Sequence, residues 1–107
     1  MAPRDDQVEE MLRRALDFLR DEIEVTNAVL FGSRARGDSH EASDIDLAVF
    51  SPDVVALGLR GRASLAARLR LTCGLEFEPH FFPASALTDA PPGSFVRHIL
   101  ETGKRVV

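Results

Sequence analysis

Residues 29–50 read VLFGSRARGDSHEASDIDLAVF, and the alternation inside this stretch decides the fold. Ala28-Val29-Leu30-Phe31 is an apolar run long enough for a buried strand. Gly32-Ser33 breaks the run, and a tight, arginine-bearing turn follows through Gly37. A polar loop from Asp38 to Ala42 leads into Ser43-Asp44-Ile45-Asp46-Leu47. There the pattern predicts a second strand with Asp44 and Asp46 on one face and Ile45, Leu47 and Val49 on the other, the core face. Carboxylates two residues apart on a strand stand about 6–7 Å apart at Cα. Both can therefore reach one metal ion, or a pair of ions about 3.5–4 Å apart. The Gly-Ser turn leaves a strand and opens a short helix, where free backbone N–H groups can hold phosphate.

Outward from this centre the rest of the chain reads as support. Val8, Met11, Leu12, Ala15, Phe18, Leu19 and Ile23 recur at helical spacing and predict an amphipathic helix over residues 4–23. The first strand covers residues 28–31, and the second ends near Ser51-Pro52. Residues 53–72 read as a helix, weakened in the middle by Gly58 and Gly61 and closed by Gly74 as its cap. Its arginines, Arg60, Arg62, Arg68 and Arg70, read as a solvated helix face. Leu75 to Phe82 alternates again, with Glu76, Glu78 and His80 on one side. Pro79 removes a backbone donor, so this strand belongs near a sheet edge. A helical turn over residues 84–89, a final helix from Phe95 to Thr102 with Phe95, Ile99 and Leu100 inward, and a tail or edge strand over 104–107 complete the order. The sequence α-β-turn-β-α-β-α predicts an α/β (α+β) domain, a small mixed β-sheet flanked by helices, formed by residues 1–107 as a single unit.

Composition narrows the function class. A chain of 107 residues with 45% hydrophobic content suits one modest core. No segment has the length and apolarity of a membrane span, and the N-terminus lacks a signal-peptide pattern. The lone cysteine, Cys73, excludes an intramolecular disulfide and a cysteine zinc cluster, and reads as a buried free thiol. These features fit a reducing cytoplasm. A net charge of −4, and basic residues without interleaved aromatics, weigh against direct nucleic-acid binding. His40 and His98 read as ordinary surface residues.

The order Gly32-Ser33-x-Ala35-x-Gly37, then Ser43-Asp44-x-Asp46-Leu47, resembles the signature of the polymerase-beta-type nucleotidyltransferases. The form GSRARG…SDIDL is most similar to the minimal nucleotidyltransferase (MNT) branch, small prokaryotic proteins often paired as antitoxin with a HEPN-domain toxin. The resemblance covers the central motif closely and the remainder loosely. It implies the minimal nucleotidyltransferase fold, ATP as substrate and two Mg²⁺ ions. It makes Asp44 and Asp46 the metal ligands, and gives Gly32 and Ser33 the β- and γ-phosphates. Arg34 and Arg36 would add positive charge to the nucleotide site, or else remain solvated. The family's third carboxylate, a metal ligand that also helps deprotonate the acceptor, is Glu76 or Glu78 here. Phe77-Glu78-x-His80 resembles the third-strand pattern of some MNT sequences, which favours Glu78. His80 has three readings, a ligand, a phosphate contact or a packed group behind Glu78, and the last is favoured.

Three function classes follow: an enzyme, a non-catalytic antitoxin that covers its partner, and an RNA-binding adaptor. The Asp44/Asp46 pair favours the enzyme. Larger relatives carry extra domains for base and acceptor, for which this chain has no room. The expected acceptor is therefore a hydroxyl on a partner protein, a tyrosine of a HEPN-type toxin. Transfer to an antibiotic is the small-molecule alternative. No membrane partner is expected.

Overall fold

Strand β2, Ile45–Ser51, is the spine of the structure, a computed structural model that describes residues 5–36 and 44–107. Its odd-numbered residues, Ile45, Leu47 and Val49, are fully buried on one face, and Ala48 and Phe50 are fully buried on the other. A strand that is apolar on both faces needs cover on both sides, and the neighbouring elements supply it.

β1 (Asn27–Phe31) pairs antiparallel with β2, and the short β4 (Lys104–Arg105) pairs antiparallel with β1. β3 (Phe77–Pro83) pairs with β2 in parallel. The order across the sheet is β3-β2-β1-β4. Two parallel neighbours need a crossover, and α3 (Val54–Cys73) provides it. Gly58 breaks its helical path at φ 65°, ψ −176°, which is the weakness read at that glycine. Gly74 caps its end, donating its N–H to the Arg70 carbonyl. β3 lies at the sheet edge, where Pro79 leaves no ladder bond unmade.

α1 (Asp5–Arg20) and α3 cover one face of the sheet. Val8, Leu12, Ala15, Leu16 and Leu19 of α1 are buried against Ala28, Leu30, Leu47, Val49, Leu65 and Leu69. Spacings of three and four residues place them on one helical stripe. The other face carries a smaller cluster. Val29, Ala48 and Phe50 pack with Ile99 of α5 (Phe95–Thr102), and with Ala86 and Leu87 of α4 (Ala86–Asp89). The single turn α2 (Ser33–Arg36) follows β1 directly.

Several expectations shift. Asp44 precedes β2 instead of lying within it, and is exposed. β3 begins at Phe77, so Leu75 and Glu76 lie before the strand, with Leu75 64% exposed. Phe95 is 52% exposed because it opens α5 and lays its ring edgewise on Phe31 and Phe82 at the sheet surface. The arginine face of α3 is solvated as read, with Arg60, Arg68 and Arg70 exposed, and three of its arginines also make bonds: Arg62 donates to the Gly58 carbonyl, Arg70 to the Leu75 carbonyl, and Arg68 pairs with Glu22. Gly37, the loop over 38–43 and His40 lie outside the described residues, as do the side chains of Ser33 and Arg36. Among the described residues no helix is long and apolar enough to cross a membrane.

Candidate active site

The strand register builds the site. Phe31 stands opposite Asp46, and Asp46 opposite Glu78, so these three form one row across β1, β2 and β3. The next row on the same face is Val29, Ala48 and His80. Diagonal neighbours on one sheet face come within reach of long side chains. Ala48, only a methyl group at the centre of its row, leaves His80 room to lean toward Asp46. His80 Nε2 stands 3.9 Å from Asp46 Oδ1 and 4.0 Å from Glu78 Oε1. One ligand atom from each of Asp46, Glu78 and His80 lies within 4.8 Å of the other two.

Gly32, at the end of β1, closes the site from the other side. A Cβ built there would lie 2.5 Å from Asp46 Oδ2, and the backbone φ of +75° is one that side chains disfavour. Glycine is thus required twice, by conformation and by space. The gap it keeps open lies directly against the Asp46 carboxylate.

The Asp46 carboxyl is pushed up to about 6, first by burial, then by its hydrogen bond to Glu78 and by the Glu78 charge. The Asp44 charge adds a smaller push, and His80 opposes it. Two carboxylates this close, one partly buried and one exposed, repel until a proton or a cation separates them. The donor set, two carboxylates and an imidazole with an open side at Gly32, fits a divalent metal ion on these grounds.

The predicted residues divide. Asp46 and Glu78 come together beside Gly32. Asp44 lies just outside their group, in a hollow of ≈380 Å³ that it lines with Glu78, Arg70 and Leu75. Glu76 turns elsewhere: a Cβ at Gly74 would lie 2.7 Å from its Oε2, beside Met11. That leaves Glu78 as the carboxylate opposite Asp46. Ser33 opens α2 next to Gly32, and Arg36 ends it. Arg34 is buried and lines a different cleft, of ≈530 Å³, with Leu30 and the α1 residues Val8, Leu12 and Leu16. Leu30 belongs to the α1 face of the sheet, so Arg34 is set apart from the carboxylates. His80, for which the sequence left the roles of ligand, phosphate contact and packed group open, stands with Asp46 and Glu78. Its signal was the Glu78-x-His80 alternation, which puts both side chains on the Asp46 face. Cys73 is half-buried, and burial raises its thiol above the ordinary range, as suits an unreactive cysteine. His98 is exposed.

Comparison with known proteins gives the family and the fold. Residues 12–84 match the family described as nucleotidyltransferase domain, and the chain belongs to that family. Over 43 residues it is 44% identical to a Methanocaldococcus jannaschii protein named "Putative protein adenylyltransferase MJ1379". That segment is 40% of this chain and 43% of the relative. The fold is similar to a crystal structure described as a putative nucleotidyltransferase from Sulfolobus solfataricus, with TM-score 0.64, 18% identity, and coverage of 78% of this chain and 74% of the other. It is also similar to a mutant of the toxin–antitoxin MntA–HpeT, with TM-score 0.59, 23% identity, and coverage of 98% and 73%.

Proposed function

We propose that this chain transfers AMP from ATP to a tyrosine hydroxyl of a HEPN-type toxin, acting as its antitoxin in the manner of the MNT branch, with residues 1–107 as one catalytic domain. The observation that carries the reading is the register that sets Glu78 beside Asp46 and both against Gly32. The name of the M. jannaschii relative and the toxin–antitoxin likeness in fold support it. The chain has no tyrosine, so a phenolic acceptor must be supplied in trans.

In this scheme Asp44, Asp46 and Glu78 hold divalent ions, Mg²⁺ by resemblance to the family. When bound, the ions neutralise charge on the triphosphate and on the attacking and leaving oxygens. Gly32 and Ser33 hold the terminal phosphates through backbone N–H groups, and the missing Cβ at Gly32 lets the nucleotide come close. Glu78, on the edge strand and exposed, accepts the proton of the acceptor hydroxyl. The hydroxyl oxygen then bonds to the α-phosphorus, the bond from that phosphorus to the bridging oxygen breaks, and pyrophosphate leaves. Each AMP added leaves a charged phosphodiester and a base on the partner, which repels RNA phosphate and fills space.

Intact-mass spectrometry of the chain incubated with a HEPN-type partner and Mg-ATP tests this. A gain of one or more AMP units on the partner, lost in the Asp44→Asn/Asp46→Asn variant and slowed about 10–100-fold by Glu78→Gln but not by Glu76→Gln, is the expected result. A partner that stays unmodified yet is inhibited stoichiometrically would establish the non-catalytic antitoxin instead.

A further inference from the structure

His80 does more than pack behind the carboxylates. Its Nε2 has no solvent-exposed surface and no hydrogen-bond partner, although imidazole nitrogens in such places are ordinarily satisfied. The separations to Asp46 Oδ1 and Glu78 Oε1, 3.9 and 4.0 Å, are too long for hydrogen bonds. They suit atoms that share an ion: two ligand atoms each about 2.1 Å from a metal stand about 3 Å apart at a right angle and about 4 Å apart across it. The ring is held in place from two sides. Phe31 meets it edgewise at 5.2 Å between centroids, and Phe95 at 6.1 Å. Neither phenylalanine can satisfy the nitrogen, so these contacts fix the ring's direction and leave Nε2 facing the carboxylates. Asp44, the oxygen donor expected from the motif, lies outside this three-residue group.

We propose that His80 is itself a metal ligand through Nε2, and that the Asp46–Glu78–His80 set prefers a first-row transition-metal ion such as Mn²⁺ over Mg²⁺. The inference rests on the proposed nucleotidyltransferase site and specifies its metal. Mg²⁺ takes hard oxygen ligands and loses its waters reluctantly. An imidazole in place of one oxygen shifts the balance toward the transition metals, whose affinity for nitrogen donors is higher. The set is compact, its ligand atoms within 4.8 Å of one another, and requires no carboxylate from the loop before β2.

The test uses the full chain with His40→Gln and His98→Gln as background, so that His80 is the only imidazole of the three in the sequence. Mn²⁺ and Mg²⁺ binding is measured by calorimetry with and without a non-hydrolysable ATP analogue, and bound Mn²⁺ is examined by pulsed EPR for nitrogen coupling. The expected result is Mn²⁺ binding at least tenfold tighter than Mg²⁺, with an imidazole nitrogen coupling. His80→Phe, which keeps a ring against Phe31 and Phe95, should remove the coupling and weaken Mn²⁺ about 10–100-fold while changing Mg²⁺ less than threefold. If Mn²⁺ binds, depends on Asp46, and shows no nitrogen coupling, the role of His80 is overturned and the carboxylate site stands. If neither ion binds in either condition, the metal site fails as a whole. The EPR result on the background chain decides even where His80→Phe folds poorly.

Discussion

The two faces of the sheet use the same strands and end in opposite states. On one, α1 and the later turns of α3 lie across Leu30, Leu47 and Val49 and bury them completely or nearly so. On the other, α5 has eight residues and α4 four, and they cover Val29, Ala48 and Phe50 but not the end of the sheet where Asp46 and Glu78 stand. The lesson is that helix length sets the boundary between core and site. Where cover runs out, the alternating residues of β2 and β3 change from apolar to ionisable. Asp46 lies on that boundary. It is buried enough to have its carboxyl raised to about 6, and open enough to receive a ligand beside Gly32.

The largest effect is expected on the closed face. Leu69 of α3 is fully buried among α1 and strand side chains. Leu69→Ala should cost about 2–4 kcal/mol in urea unfolding and leave a cavity, while metal affinity of the folded fraction stays the same. A parallel loss of metal affinity would mean that the two faces are not independent. On the open face, Gly32→Val places a side chain against Asp46 Oδ2 and in the left-handed region. We expect about 1–2 kcal/mol of destabilisation together with a loss of ATP affinity greater than that of Ser33→Ala. Calorimetry giving unchanged ATP affinity in both variants would remove the phosphate cradle.

The smallest effect sharpens the boundary itself. The unfolded chain carries Asp46 near its ordinary value of 3.8, and the folded chain carries it at about 6, so between these the folded state holds more protons. Metal-free stability from this group is therefore fully present below about 4 and is lost as pH rises through about 6. With the side chain 25% exposed, the change is on the order of 1–2 kcal/mol. Asp46→Asn removes it, making the metal-free protein at pH 7 more stable than the parent by that amount. Urea midpoints in chelator from pH 4 to 7 check this. A constant gap between the two proteins across that range would show that Asp46 does not titrate as its setting requires.

Much of this was legible beforehand because it is local. Apolar periodicity gave α1, the run at 28–31 gave β1, and the alternation Ile45-Asp46-Leu47 gave both faces of β2. Pro79 announced an edge strand, since a central strand would miss its donor. The exposure of Phe95 was not legible. A helical stripe says which residues share a side, and not how far the neighbouring layer extends.

By itself the sequence determined which side chains share a face, because a strand alternates with period two whatever it pairs with. It therefore put Asp46 opposite the core and grouped Glu78 with His80. Only the tertiary structure decided that Asp46 meets Glu78, with Glu76 before the strand, that Ala48 gives His80 its space, and that Arg34 lies on the α1 side. Register is non-local. It is set by how the crossover helix docks and by the packing of side chains distant in sequence, and a shift of one residue would have exchanged the faces of β3.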